Sequence, residues 1–269
     1  MNNIVLNTPE NDITTLNKVH IYNYMLLHTK NCTLQIKSKN GNDIFIPNKS
    51  IVFIEKNNVF SVTINRCGKN TLYESLYLHD EIITDICKSI DPLVDSDVLS
   101  SSFLSERGIN KKVFFIPCNE IELNIFEKLK SNTLSKHNMI LKCIYLFSKV
   151  TNINDMLISL HISSRISFVD KVKKIIEKDL QKKWTLYELS NLMNLAEISI
   201  RKKLEAESMT FNNLLLDIRM NSALKMLTKN TNHINSIAKN TGYSSVSYFI
   251  KTFKNYYGIT PKQFRLNIK

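Results

Sequence analysis

The sequence predicts an α+β protein: a small N-terminal β-barrel or sandwich with helices after it, and an all-α C-terminal domain with two helix-turn-helix units. Three observations carry this. Residues 19 to 78 hold short apolar or alternating runs separated by turn-forming clusters, the period of strands. From Asp80 onward the apolar period lengthens to that of helices. From Ser167 to the end, glycine, serine and Thr-Pro signals cut the helices short, and the charge shifts. That segment holds 18 Lys and Arg against 8 Asp and Glu, a balance of +10, whereas residues 1 to 166 hold 18 against 16.

Tyr22 to Leu27, Thr33 to Lys37, Asp43 to Pro47, Ser50 to Glu55 and Phe60 to Ile64 read as strands. Turns fall at Lys39-Asn40-Gly41-Asn42, Pro47-Asn48 and Lys56-Asn57-Asn58. Short strands joined by hairpins suit a sandwich or open barrel. Asp80 to Ile90, Glu120 to Leu129 and Lys136 to Val150 follow as helices, with Asn119 and Ser135 as N-caps. The third has an apolar stripe through Ile140, Leu141, Ile144, Tyr145 and Phe147, which suits either core packing or a dimer interface. Asp91 to Asn110 is polar and turn-rich, a mobile loop. Thr151 to Ile166 lacks a firm period and carries the charge shift, so the boundary falls there, between domains 1–162 and 163–269.

In the second domain, Ser167 and Asp170 have capping-box spacing, and Val169, Val172, Ile175, Ile176 and Leu180 then share one helix face. Lys171, Lys173, Lys174, Lys178, Lys182 and Lys183 surround that face, which suits a solvated collar or, for some of them, phosphate contact. The first helix-turn-helix, about 185–206, starts at Thr185 with Glu188, turns Leu186, Leu189 and Leu192 inward, bends at Asn194-Leu195 and buries Ile200 and Leu204. A long helix, roughly 210 to 228, follows. The second unit, about 233–256, puts Ile234, Ile237 and Ala238 on one face and Gly242 at a left-handed turn. Ser244 and Ser245 then cap a helix that buries Phe249, Phe253 and Tyr256 and leaves Ser247, Ile250, Lys251 and Lys254 outward. Gly258 closes it, and Thr260-Pro261 opens a last helix with Phe264 and Arg265. A helix with a small-polar and basic face suits a major groove, and two of them held about 34 Å apart reach successive grooves on one side of duplex DNA.

Composition narrows the alternatives. The net charge of +12 attracts a polyanion, without saying whether it is DNA, RNA or a membrane surface. No run of about eighteen apolar residues is present, so no membrane span is read. The start MNNIVLNTPENDITTLNK lacks the apolar centre of a signal peptide, which predicts a cytoplasmic protein. Five cysteines without a C-x-x-C pair read as free thiols. The six histidines have no ligand spacing, and no hydrolase, phosphate-loop or dinucleotide motif occurs, so neither enzyme, metal site nor cofactor is expected. A coregulatory protein that touches DNA only nonspecifically fits the basic tail as well.

Ile237-Ala238, Gly242-Tyr243, Tyr248-Phe249, Phe253, Gly258, Pro261 and Phe264-Arg265 resemble, in order and spacing, the C-terminal signature of the AraC/XylS family of bacterial transcription regulators. That family carries a further helix-turn-helix upstream, and this chain shows one there. Tyr24 to Cys32, Glu106 to Lys112 and Ile200 to Glu205 extend the resemblance to its enteric virulence activators, the Rns, VirF and ToxT group. The resemblance implies a cupin-like N-terminal barrel, activation of fimbrial, toxin or secretion genes on promoter DNA, RNA polymerase as partner, and a homodimer formed through the helices after residue 118. It assigns DNA contact to Ile198, Ser199, Arg201 and Lys202 in the first unit and to Ser245, Ser247, Ile250 and Lys251 in the second. Arg201 suits either a bidentate contact to guanine or a phosphate clamp, and the isoleucines suit thymine methyl groups, hence A·T-rich sites. It also implies a small effector such as a fatty acid or bicarbonate, with Lys30 or Lys229 as the cation. Tyr22 and Tyr77 complete the effector-site candidates; they stand near positions where relatives carry cationic side chains, a departure from the family pattern that weighs against direct carboxylate binding.

Overall fold

The structure is a computed structural model that describes residues 13–38, 43–68, 70–93, 107–131, 133–164, 166–228 and 233–268. The expected turn Lys39 to Asn42, much of the expected loop Asp91 to Asn110, and Lys229 lie outside the described residues.

Two antiparallel four-stranded sheets face each other as a sandwich and do not close into a barrel. The first orders β1 (Ile13–Ile21), β6 (Asn58–Arg66), β3 (Cys32–Lys37) and β4 (Ile44–Ile46). The second orders β7 (Tyr73–Leu78), β2 (Tyr24–Thr29), β5 (Ile51–Ile54) and β8 (Val113–Ile116). Leu16, Leu34, Ile36 and Val62 of one sheet meet Met25, Leu27, Val52 and Ile54 of the other. β2 and β5 are buried at every position because their outer face is covered as well. Tyr24, Leu26, Ile51 and Phe53 pack there on α1 (Asp80–Ile90), α2 (Glu120–Lys130), α3 (Lys136–Ser148) and α4 (Ile153–Ser163).

Several expectations need correction. The strand expected from Tyr22 starts instead at Tyr24, and β1 occupies Ile13 to Ile21, where the sequence pattern shows little. A register shift between Leu16 and Val19, with Lys18 at φ 52°, breaks its alternation. Thr151 to Ile166, read as periodless, contains α4, whose Met156, Ile158 and Leu160 are buried around the helix rather than along one stripe. Ser135 caps α3 by accepting from the Asn138 amide (3.3 Å), whereas the Asn119 side chain makes no capping bond.

The C-terminal helices are α5 (Phe168–Glu177), α6 (Leu186–Met193), α7 (Glu197–Ala206), α8 (Phe211–Thr228), α9 (Ile234–Asn240), α10 (Val246–Tyr257) and α11 (Pro261–Ile268). The capping box of α5 closes in both directions: the Asp170 amide donates to Ser167 Oγ (3.0 Å) and the Ser167 amide to Asp170 Oδ2 (3.2 Å). Lys173, expected in the solvated collar, is buried and donates to Asn23 Oδ1. Leu192, expected inside, is 57% exposed. α5 to α8 enclose a core of their own, with Val172, Ile176, Leu189, Ile200, Leu204 and Leu214.

The remaining helices share the core of the sandwich. Met220 and Ala223 of α8, Ile237 of α9, Phe249 and Phe253 of α10 and Phe264 of α11 are continuous with it, and β1 packs on α8, α10 and α11. Polar contacts cross the same boundary. Lys56, almost wholly buried, reaches Asp170 (2.9 Å) and Asp80 (3.0 Å). Arg66 donates to the Asn267 carbonyl (2.8 Å). Asp217 on α8, 3% exposed, receives Tyr256 Oη from α10 (2.8 Å), Tyr22 Oη (3.2 Å), Lys18 Nζ (3.3 Å) and His20 Nδ1 (3.4 Å). Burial alone would raise the Asp217 carboxyl, but hydrogen bonds from His20 and Tyr256 and the charge of Lys18 outweigh it and hold it below its ordinary value.

At His20, by contrast, burial dominates and lowers the pKa below 6.5 despite the Asp217 carboxylate. The unfolded chain then binds a proton that the folded chain resists, so this contribution to stability is whole above about pH 6.5 and is lost as pH falls through the folded value. The melting temperature of the chain should fall between about pH 7 and 5, and less so in His20→Gln. His28 shifts the same way, so the variant removes part of the slope; equal slopes would show His20 uncoupled from folding.

Gly242 sits at φ +81°, and a Cβ there would lie 2.3 Å from the Leu180 carbonyl oxygen. Gly242→Val should destabilise the chain by about 2 kcal/mol or more, read by urea unfolding. A wild-type midpoint would mean that the turn does not need a glycine.

Candidate nucleic-acid interface and interior cavity

In the first unit the Glu188 amide donates to Thr185 Oγ1 (3.2 Å), and Asn194 takes the left-handed turn at φ 51°. The turn directs α7 so that Ile200 and Leu204 are buried, while Ile198, at 68% exposure, Arg201 and Lys202 face outward and Ser199 is half-buried. Glu207, just past α7, accepts from the amides of Phe168 (2.7 Å) and Val169 (2.9 Å), which fixes α7 to the start of α5.

In the second unit, the Tyr243 amide returns to the Ala238 carbonyl (2.9 Å) across Gly242. Ser245 caps α10 by accepting from the Tyr248 amide (3.3 Å), so its hydroxyl already has a structural partner. Phe249, Phe253 and Tyr257 are buried, and Ser247 and Lys251 are exposed. Ile250 is half-buried and packs on the core, leaving less of it for a partner than the sequence suggests. Tyr248 is 62% exposed beside Ser247 and Lys251. Sequence reasoning passed over it as part of an aromatic motif; its spacing of three from Lys251 on a helix that buries Phe249 was the available signal.

The sequence-predicted effector residues separate. A mostly apolar cavity lies between the inner faces of the sandwich and α8, lined by side chains that include Leu16, Met25, Ile36 and Phe60. Its polar wall includes His20, Tyr22, Tyr77, Asn221, Ser222 and Lys225. Tyr22 is therefore at the cavity but also bound to Asp217. Burial raises the Tyr77 pKa, and Lys225 Nζ stands 4.1 Å from the Tyr77 ring centre. Lys30 is not on the cavity wall: it pairs with Glu74 (2.8 Å) and Glu127 (3.6 Å). Lys225 was missed, although Asn221, Ser222 and Lys225 stand at helical spacing on one side of α8. His28, Glu74 and Glu127 bring possible metal-ligand atoms within 4.8 Å, but Lys130 and Lys30 already neutralise both carboxylates, so the group is an ion-pair cluster.

The family described as "Helix-turn-helix domain" matches residues 189–267. The chain is 37% identical over 254 residues to the HTH-type transcriptional activator FapR of Escherichia coli, spanning 94% of this chain and 96% of that protein. It is 37% identical over 251 residues to the virulence regulon transcriptional activator VirF of Shigella flexneri, spanning 93% and 94%. Among solved structures, ToxT of Vibrio cholerae has the same fold, with a TM-score of 0.67 at 19% identity over 95% of this chain and 94% of that one. A second ToxT structure, described as bound to unsaturated fatty acid, gives a TM-score of 0.57 at 18% identity over 95% and 91%. Whole-length similarity to activators, together with two capped helix-turn-helix units on one chain, places this protein in the AraC/XylS family of helix-turn-helix transcription regulators.

Proposed function

We propose that this chain is a sequence-specific, promoter-binding activator of virulence genes that inserts α7 and α10 into successive major grooves of double-stranded DNA. The observation that carries the proposal is the paired exposed faces, Ile198, Arg201 and Lys202 on α7 and Ser247, Tyr248 and Lys251 on α10, joined through α8. α8 has 18 residues, about 27 Å of rigid helix at 1.5 Å per residue. Arg201 and Lys202 supply bidentate and point-charge donors, and Ile198 supplies an apolar contact suited to thymine methyl groups. The proposal includes a cytoplasmic location, RNA polymerase as partner, a homodimer through the helices after residue 118, and division into a regulatory part (1–162) and a DNA-binding part (163–269). No helix among the described residues is long and apolar enough to cross a membrane.

The test is a gel shift with duplex selected from a random library by the full chain. Retardation should persist against bulk competitor. Lys251→Ala should weaken it and reduce the slope of log affinity against log salt by about one. Uniform binding to any duplex would favour a coregulatory protein that holds DNA nonspecifically, and an unchanged slope would remove Lys251 from the phosphate contacts.

The same reading gives the cavity a small anionic effector. Its apolar walls favour a fatty acid over bicarbonate, and Lys225 is the cation for the head group. The ToxT structure with bound unsaturated fatty acid supports this by analogy of fold. Oleate should quench tyrosine fluorescence saturably, Lys225→Met should weaken oleate binding about tenfold, and bicarbonate should do neither, since the head-group pairing is worth about 1.4 kcal/mol. Equal oleate affinity in the variant would exclude Lys225 as the head-group partner.

A further inference from the structure

One side chain of α8 touches both the loop that leads into the first helix-turn-helix unit and the turn of the second. Arg219, half-buried at mid-helix, donates from Nη2 to the Lys182 carbonyl oxygen (3.1 Å), in the loop that leads into α6. Its guanidinium carbon lies 5.6 Å from the centre of the Tyr243 ring, in the turn between α9 and α10. The two segments meet at that point: a Cβ on Gly242 would come 2.3 Å from the Leu180 carbonyl and 2.6 Å from Arg219 Nη2. The loop on the first unit's side is itself braced. Trp184 Nε1 donates to the Asp179 carbonyl (2.8 Å), and Asp179 Oδ1 accepts from the amides of Gln181 (3.0 Å) and Lys182 (3.2 Å).

We infer that Arg219 is a positioning residue for DNA reading: it pins the loop before α6 to the turn before α10 and so fixes the phase at which α7 and α10 face the duplex. The inference rests on the two-groove reading proposed above. Arginine suits the task because one planar group offers a directional donor and a flat face at once; lysine offers only the donor. Two recognition helices on a rigid frame bind as a linked pair, with the second contact made at high effective concentration. Loosening the frame spreads α10 over many orientations and lowers that concentration, while each helix keeps its own contacts.

The test uses full-length wild type, Arg219→Met and Arg219→Lys, with circular dichroism confirming the fold. The probes are a duplex selected from a random library by the wild type, two versions with either half scrambled, and one with two extra base pairs between the halves. Arg219→Met should bind the intact duplex on the order of tenfold more weakly, bind the half-scrambled duplexes within about twofold of wild type, and lose much of the insertion penalty. Arg219→Lys should fall between, and it carries the test if the methionine variant does not fold. Wild-type affinity and insertion penalty in both variants would overturn the inference, as would an equal loss on intact and half-scrambled duplexes, which marks a merely structural role. If the wild type itself binds half-scrambled duplexes as tightly as the intact one, the two-groove reading fails and this inference falls with it.

Discussion

The Asp217 carboxylate is the constraint on which the arrangement of the whole chain depends. A buried charge of this kind costs several kcal/mol unless its oxygens are saturated with donors, and no single element here could supply enough. Tyr256 comes from α10, Lys18 and His20 from β1, and Tyr22 from the link between β1 and β2. The carboxylate is stable only when the sandwich, α8 and α10 are in place together, so it makes the relative position of these three layers all-or-none rather than graded. The bulge in β1 is what makes this possible. By shifting register between Leu16 and Val19 it turns Lys18 toward Asp217 and brings Asn17 against the end of α10 at Gly258.

Packing around that point explains why the cavity sits where it does. The second sheet spends its outer face on α1 to α4, so the inner face of the sandwich is left to be closed by something else, and α8 with its neighbours closes it. One strand, β1, therefore lines the cavity and supports α10, and one helix, α8, lines the cavity and links the two units. A molecule held between β1 and α8 touches the elements that set the pose of α10. In a chain divided into two independently packed domains, no such contact would follow from geometry.

Legibility in the sequence followed the number of surfaces that each element packs on. The two helix-turn-helix units were readable because their caps and turns are local chemistry: Thr185, Asn194, Gly242, Ser245 and Gly258 act within a few residues of themselves. α4 was not readable, because a helix buried around more than one side loses its stripe. β1 was hidden by its bulge, and β8 because the strand it pairs with, β5, is distant in the chain, so no hairpin turn announces it. At the sites, Ile198, Arg201 and Lys251 stand exposed, yet a sequence pattern gives no means of knowing that Ile250 leans on the core or that Lys30 is held by Glu74. Lys225 was hidden for the opposite reason: its importance comes from β7, which presents Tyr77 beneath it from far away in the chain.

The same distinction governs the positive charge. Formal counting credits the C-terminal segment with a balance of +10, but much of it already has a structural partner. Lys173 is buried against Asn23, Lys174 pairs with Asp80 (3.2 Å), Lys182 pairs with Glu188, Arg219 is bound to the Lys182 carbonyl, and Lys203 lies over the Phe168 ring at 5.7 Å. The cations left on the outward faces of α7 and α10 are a subset, chiefly Arg201, Lys202, Lys251 and Lys254. Counterion release depends on phosphates actually met, so the salt dependence of DNA binding is set by that subset and by any second copy of the chain. Of the partnered cations, Lys173 and Lys174 tie α5 to the N-terminal half, and the buried Lys173 contact would persist at ionic strengths that strip the protein from DNA, because buried groups are screened far less than exposed ones.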